Sequence, residues 1–425
     1  MKNKKCAGCG ESKLKLLFSL GKMPPVNAFI TNEEVPSEEK FPLDKYFCEN
    51  CKLVQIGEPV DPEKLFSHYL HMSSASQSNI KHLEEVEALI RTTSKKVGTE
   101  LSKSNVLEIG SNDGTLLKLF KKSASNVLGV DPAKNLAEVA NSKGVETITD
   151  FFSKKLGSKL RKEKGAFDWV VALNVVAHTP DFISLLQGVQ TLLSRNGVFM
   201  MEAAYVVDTI LKGQFDTVYH EHVYCFSLTS LKYALERVGM KVIKAEIIPT
   251  QGTSIRVMAA LKNSEVNVDS SVQKILSSEE KQGFMDLKKY ESVSQKIEDF
   301  VFNLRKKLEE LKLQYGQKAI GLGAPARGVV VLNRSKIGPE LVDAVIDDTP
   351  LKQNRLVPGV HIPVVSWETL RNRDQKVFFL LSWNYKKELL EKLSKYVKDP
   401  IVLVPFPELK VENNVDKKEK KLKAA

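Results

Sequence analysis

What the sequence lacks narrows its class first. No apolar run approaches the roughly 20 residues that a membrane-spanning helix needs. The opening Met1-Lys-Asn-Lys-Lys-Cys-Ala-Gly-Cys-Gly10 carries charge with no apolar stretch behind it, so neither a membrane span nor a secretory signal is expected. A cytoplasmic protein is the expectation. Cysteine is scarce, five in 425 residues, and the odd count excludes a fully paired disulfide scaffold. In a reducing compartment such thiols ligate metals instead. No repeat of solenoid period is present. A basic stripe with interleaved aromatics, the footprint of a nucleic-acid grip, is missing from residues 1–75.

What is present is a globular balance with a basic excess. Apolar residues make up 42% of the chain, enough to give each of several domains a core. The formal net charge is +11. Part of it sits at Lys2, Lys4 and Lys5 and in the solvated tail from Lys417 to Lys423. The remainder suits an anionic small substrate.

Periodicity organises the chain. Residues 1–75 read as short strands and turns, punctuated by Pro24-Pro25, Pro36, Pro42 and Pro59. Apolar positions at helical spacing predict a helix over 79–97. Strands over 105–110, 126–130 and 168–173 then alternate with helices over 115–121 and 135–143. That pattern implies parallel βαβ units with a ligand site at the strands' C-terminal ends. The proline-free stretch 272–315 reads as one or two long helices. A second alternating pattern follows, with strands over 318–321, 341–346, 377–381 and 401–404 and helices over 326–333 and 386–397.

Cys6-x-x-Cys9 and Cys48-x-x-Cys51 are the clearest local signal. Each pair forms a knuckle that aims two sulfurs at one ion, and two knuckles complete a tetrahedral thiolate set. The segment between them exceeds that of a usual zinc ribbon and holds a subdomain of its own. A redox pair and an iron–sulfur cluster are the competing readings. With no open coordination position apparent, a structural Zn2+ is expected. Cys225, alone among apolar and aromatic residues, reads as a packing residue.

Val106-Leu-Glu108-Ile-Gly110-Ser-Asn112-Asp113-Gly114 is a strand, a glycine turn and a helix start. Its Gly-x-x-x-Gly spacing does not fit the dinucleotide fingerprint. The next strand ends in Asp131, about 20 residues on, where a carboxylate accepts ribose hydroxyls. The loop has no lysine to neutralise phosphates. A cofactor with a ribose and no phosphate therefore fits, S-adenosylmethionine rather than NAD. A nucleotide-binding turn of another kind is the competing reading.

The fourth strand ends in Leu173-Asn174-Val-Val-Ala-His178, a position that faces the reacting group. Further on lies Tyr219-His220-Glu221-His222. Imidazoles beside a carboxylate make a base that works near neutral pH. In an extended segment His220 and His222 share a face and Glu221 points away. His-Glu-His lacks the four-residue spacing of a zinc protease helix. The competing reading for either histidine is a hydrogen-bonded packing residue.

These motifs resemble the nucleotide-sugar C-methyltransferases, which methylate C-3 of 4-keto sugar nucleotides in deoxysugar biosynthesis. The likeness runs in order from residue 5 to 408. It rests on the two cysteine pairs, Glu108-Ile-Gly-Ser-Asn-Asp-Gly114, Asn174 and His178, and Tyr219-His-Glu-His222. Gly323-Ala-Pro-Ala-Arg-Gly328, Pro358-Gly-Val-His-Ile-Pro363 and Trp383-Asn384 carry it into the C-terminal half. Two places depart from the family pattern: Tyr69-Leu-His71-Met-Ser-Ser, and Gln251-Gly-Thr-Ser254 ahead of Arg256.

The resemblance implies a class I S-adenosylmethionine methyltransferase sheet over residues 76–263, after a zinc-binding domain over 1–75. A Rossmann-like domain that helps hold the sugar nucleotide follows over 264–410, and a basic tail over 411–425. Glu108, Gly110 and Asn112 would hold the methionine part, Asp131 the ribose, and Asp150 and Phe151 the adenine, with Gly114 letting the loop approach the cofactor and Asn174 at the methyl. His222 would be the base, Tyr219 a hydrogen-bond partner of the sugar, and Glu221 with His178 a second acid/base pair through water. Backbone N–H groups of the helix that starts at Pro325, with the charge of Arg327, would face a diphosphate, or this turn would be scaffold. Lys318 to Ala326 also fits a dinucleotide fingerprint, but a bare match of that kind is weak. The alternatives are a sugar oxygen or nitrogen acceptor, or RNA. The sequence leaves open whether the protein is a monomer or a weak dimer.

Overall fold

The computed structural model describes residues 5–66, 72–207, 213–250, 253–371 and 373–413. The lysine-rich ends, Tyr69-Leu-His71, Gln251 and Gly252 lie outside them. The chain folds as two compact units, each discontinuous in sequence. The first comprises Met1–Leu16, Tyr46–Asp208 and Glu221–Lys289, and the second Leu17–Lys45, Thr209–His220 and Tyr290–Ala425.

Three early strands, β1 (Leu14–Met23), β2 (Phe41–Cys48) and β3 (Val54–Ile56), belong to a four-stranded sheet. The central sheet of the first unit then begins with β4 (Asn105–Ile109), β5 (Asn126–Val130), β6 (Thr147–Ile148), β7 (Phe167–Leu173) and β8 (Leu193–Ala204). A short β9 (Tyr224–Cys225) leaves it to pair antiparallel with β3, Val54 opposite Cys225. β10 (Met240–Ile248) and β11 (Ser254–Leu261) complete the central sheet in the order β10-β11-β8-β7-β4-β5-β6. β11 runs antiparallel to both neighbours. This is the class I methyltransferase arrangement, and the strand order reverses at β4, where the C-terminal ends open a crevice.

The sequence dictates this core directly. β4 and β7 are apolar runs whose residues are almost all buried, as parallel strands covered on both faces must be. The helix Gln77–Lys96 is capped by Ser76, whose hydroxyl accepts from Asn79 N. It lays Leu83, Val86 and Ile90 against Val106, Leu116, Phe120 and Trp169. Trp169 satisfies its indole N–H on Ser94 Oγ at 2.9 Å. The expected helix over 272–315 is two, Ser270–Lys281 and Val293–Tyr315. Within the first of them the fully buried Glu279 accepts from Leu228 N, Thr229 N, the Thr229 hydroxyl and the Tyr205 hydroxyl. Those bonds satisfy the open N–H groups at the start of the helix Leu228–Arg237.

In the second unit β12 (Ala319–Leu322), β13 (Val342–Ile346), β14 (Val364–Val365), β15 (Val377–Leu380), β16 (Ile401–Val404) and β17 (Lys410–Glu412) form a sheet ordered β14-β13-β12-β15-β16-β17. All pairings are parallel except β16 with β17. The segment 17–45 belongs to this unit through real bonds. Ile30 bridges Leu356, Arg355 donates to Phe29 O at 3.0 Å, and Glu38 accepts from Gly359 N and pairs with His361 at 3.0 Å. No helix among the described residues is long and apolar enough to cross a membrane.

Candidate active site and metal centre

The four cysteines converge. Their sulfurs all lie within 4.8 Å of one another, with Cys6–Cys51 at 3.4 Å and Cys9–Cys48 at 3.5 Å. A tetrahedron with Zn–S bonds near 2.3 Å has sulfur–sulfur edges of roughly 3.8 Å, so the donor set fits zinc. Gly10 N donates to Cys6 O and Lys52 N to Cys48 O, closing both knuckles. Both turn residues have positive φ, 82° and 61°. Hydrogen bonding from the Cys51 thiol pulls Cys6 down to about 5, while that same bond and burial push Cys51 well up. A divalent cation removes this conflict by holding all four as thiolates. These four cysteines would hold a zinc ion.

The second knuckle runs through Leu53 straight into β3. Beyond the β3–β9 pairing, Ile56 N donates to Val223 O at 2.8 Å. The metal clamp and the segment Glu221–Cys225 therefore share one short ladder. On its other side that segment is held by Tyr224, whose hydroxyl donates to Pro180 O and whose ring packs against Phe182 at 4.6 Å. Cys225 is buried, as a packing residue should be.

The cofactor crevice lies at the end of β4. Gly110 has φ 69°, and a Cβ there would stand 2.3 Å from Val175 Cγ2, so only glycine fits. Asn112 N donates to Asp131 Oδ2 at 2.8 Å, and Ala133 N to Oδ1 at 2.8 Å. Asn112 Oδ1 in turn accepts from Ser73 N and Asp113 N. Gly114, left-handed at φ 75°, starts the helix Thr115–Phe120. Glu108 is 5% exposed, and its Oε2 has no hydrogen-bond partner among the described residues. Burial, with the charges of Asp131 and Asp113, raises its pKa well above the carboxylate range. A buried acid with an open oxygen fits a cationic ligand group. Asp150 and Phe151 are exposed beyond β6, Asp150 Oδ1 accepting from Phe151 N.

Asn174, at φ 58°, continues β7 and donates its N–H to Glu202 O at 2.9 Å. Val175 packs on Gly110, and its carbonyl accepts from His178 N at 2.9 Å. The His178 ring lies 5.0 Å from the His222 ring, centroid to centroid, and stacks on Phe66 at 5.8 Å. A continuous path thus leads from the glycine turn through Val175 and His178 to His222. The His178 side chain is half-buried, but its Nε2 is sealed from solvent without a partner among the described residues. Burial pushes its pKa down to about 4, so the ring is neutral at physiological pH. Glu221 and His222 are buried and Tyr219 is half-buried. His220 does not join His178: its ring lies edge-on to Phe41 and its Nε2 meets Phe41 O at 3.2 Å.

One charged group of the first unit carried no signal in the sequence reading. Glu202, fully buried at the end of β8, binds Arg256 Nε at 2.7 Å and His82 Nε2 at 2.8 Å. Burial works to raise its pKa, but those partners hold it below the usual range. Its cue was an acid closing the apolar run Val198-Phe-Met-Met. In the second unit Arg327, read as facing a diphosphate or as scaffold, grips Asp216 through two nitrogens, at 2.9 and 3.0 Å.

Three family models match the chain: a zinc binding domain over residues 6–66, a methyltransferase domain over 80–245, and a C-methyltransferase C-terminal domain over 249–407. C-methyltransferase NovU of Streptomyces niveus is 32% identical over 408 residues, covering 96% of each chain. A ubiquinone biosynthesis O-methyltransferase of Ralstonia nicotianae is 26% identical over 147 residues, which span 33% of this chain and 59% of that protein. Among solved structures, magnesium protoporphyrin IX methyltransferase of Synechocystis PCC 6803 with bound SAM aligns at TM-score 0.32 and 16% identity, over 43% of this chain and 80% of that one.

Proposed function

Since the chain belongs to the family of S-adenosylmethionine-dependent C-methyltransferases, we propose that its acceptor is a nucleotide-linked 4-keto deoxysugar, methylated at C-3 in the cytoplasm. The observation that carries this reading is the approach of His222 to His178, one helical turn from the residue that packs on Gly110. A carbon acceptor must lose a proton before it can take a methyl group, and C-3 is acidified by the neighbouring carbonyl. The site therefore needs a base beside the cofactor.

S-adenosylmethionine, when bound, supplies a methyl group on a sulfonium centre that a carbon nucleophile can take. Glu108, Gly110 and Asn112 hold its methionine part, Asp131 its ribose, and Asp150 and Phe151 its adenine, while Gly114 lets the loop approach it and Asn174 borders the methyl. His222 removes the C-3 proton and Tyr219 hydrogen-bonds the sugar. Glu221 and the neutral His178 form a second acid/base pair through water. The zinc domain over 1–75, the methyltransferase domain over 76–263 and the nucleotide-holding domain over 264–410 divide this work. Base catalysis of this kind is worth about 10²–10⁴-fold, with positioning supplying much of the rest. Incubation with S-adenosylmethionine and a panel of 4-keto deoxysugar nucleotides tests the acceptor. Mass spectrometry should show one added methyl on at least one of them, and labelling of the sugar oxygens only would refute carbon transfer.

Cofactor affinity should depend on pH in a defined direction. Glu108 is protonated to unusually high pH in the free protein, and the cofactor ammonium favours its ionised form. Below the raised pKa binding releases a proton, so affinity climbs by up to about tenfold per pH unit and then levels. The ammonium itself titrates near 8, but it does so equally in a Glu108→Gln variant. Calorimetry at pH 5–8 should show the rise in the native protein and a flatter profile in the variant. Parallel profiles would remove Glu108 from the cofactor site.

A further inference from the structure

We propose that Asp216, Arg327 and Trp383 form a positioning clamp for methyl transfer, fixing the turn that leads into Tyr219. This rests on the reading that Tyr219 acts on the acceptor. Phe215–Thr217 is a single 3-10 turn, and one such turn has no stability of its own. Its geometry is imposed by what grips it. Asp216 is fully buried. Its Oδ2 accepts from Arg327 Nε at 2.9 Å and Trp383 Nε1 at 2.8 Å, and its Oδ1 from Arg327 Nη2 at 3.0 Å. The guanidinium carbon lies 4.5 Å from the Trp383 ring centroid. The carboxylate is thus held by three directed donors, two from a planar fork.

The preceding residue is gripped as firmly by apolar contact. Phe215 lies edge-on to Phe300 at 5.6 Å and Phe406 at 6.2 Å, and Phe406 also packs on Trp383 at 5.7 Å. Two adjacent residues are therefore seated in the second unit by complementary means. Tyr219 follows three residues after Asp216, with no intervening helix or strand. A fork-and-carboxylate pair fixes both distance and angle, which a purely apolar seat would not. Arg327, within the Gly323–Gly328 motif, acts through this pair rather than on phosphate.

Asp216→Asn keeps shape and removes charge, Arg327→Met removes the fork, and Arg327→Lys keeps charge without the fork. For Asp216→Asn and Arg327→Met, kcat should fall on the order of 10²-fold, the cost of a misplaced reacting group. Acceptor KM should rise as Tyr219 loses its place, S-adenosylmethionine Kd should stay within about two-fold, and the kcat of Arg327→Lys should fall between native and Met. Hydrogen exchange should quicken in peptides spanning 213–220 and stay unchanged over 105–115. Native kcat in both severe variants would overturn the clamp, as would exchange rising equally in both regions. If the native enzyme methylates no 4-keto sugar nucleotide, the acceptor reading fails, and the exchange comparison alone decides the clamp.

Discussion

Exchange of His222 for asparagine is expected to lower methyl transfer by about 10²–10⁴-fold, the worth of a positioned base, with cofactor affinity unchanged. Asparagine fills similar space and still hydrogen-bonds, so the fold around it should survive. His178 cannot take over. Its pKa near 4 makes it a poor proton acceptor, and its contact with His222 suits a neutral relay. The cofactor loop is built on β4 and β5, with Asp131 bonded to Asn112 and Ala133, and none of those bonds involves residue 222. Single-turnover methylation and calorimetric cofactor titration of the variant separate the two effects. Turnover within about three-fold of native would remove His222 from the mechanism.

Loss of the metal should have an effect of comparable size by a different route. Structural zinc at four thiolates contributes about 10–16 kcal/mol of apparent binding energy at neutral pH, as much as the whole stability of a typical domain, about 5–15 kcal/mol. Cys48→Ser, or a strong chelator, should release one zinc and unfold the knuckles. Because β3 pairs with β9 and Ile56 with Val223, the disturbance should reach the segment carrying His222. Methylation should vanish while S-adenosylmethionine still binds. Metal analysis, activity and cofactor titration on one chelated sample distinguish this from global unfolding, in which binding is lost too. Full activity in zinc-free protein would show the clamp to be independent of the site.

Much of the fold was legible because its signals are local. The strands β5 and β16 fall at the residues read from sequence, since each is a short apolar run bounded by turn residues. The thiolate set was legible because ligand chemistry demands paired spacing, and the four sulfurs do meet. The glycine turn was legible because Gly110 has no room for a Cβ. What stayed hidden depends on partners far along the chain. β8, β10 and β11 were not read as strands, since the antiparallel edge they form is set by pairing between them. Residues 17–45 pair with residues some three hundred positions away, and nothing in their own pattern announces it. His220 and His222 looked equivalent in a period-two segment, yet one meets the Phe41 carbonyl and the other His178. Asp216 had no legible role, because a buried ion pair is visible only once Arg327 stands opposite it.

Solvent exchange at the acceptor carbon tests the central claim most directly. The enzyme, loaded with S-adenosylhomocysteine so that no methyl is available, is held in deuterium oxide with a 4-keto deoxysugar nucleotide that the native enzyme methylates. Deuterium should enter C-3 with native protein and not with His222→Asn. Methylation of that nucleotide without exchange in the native enzyme, or equal exchange in both proteins, would contradict proton removal by His222 at that carbon.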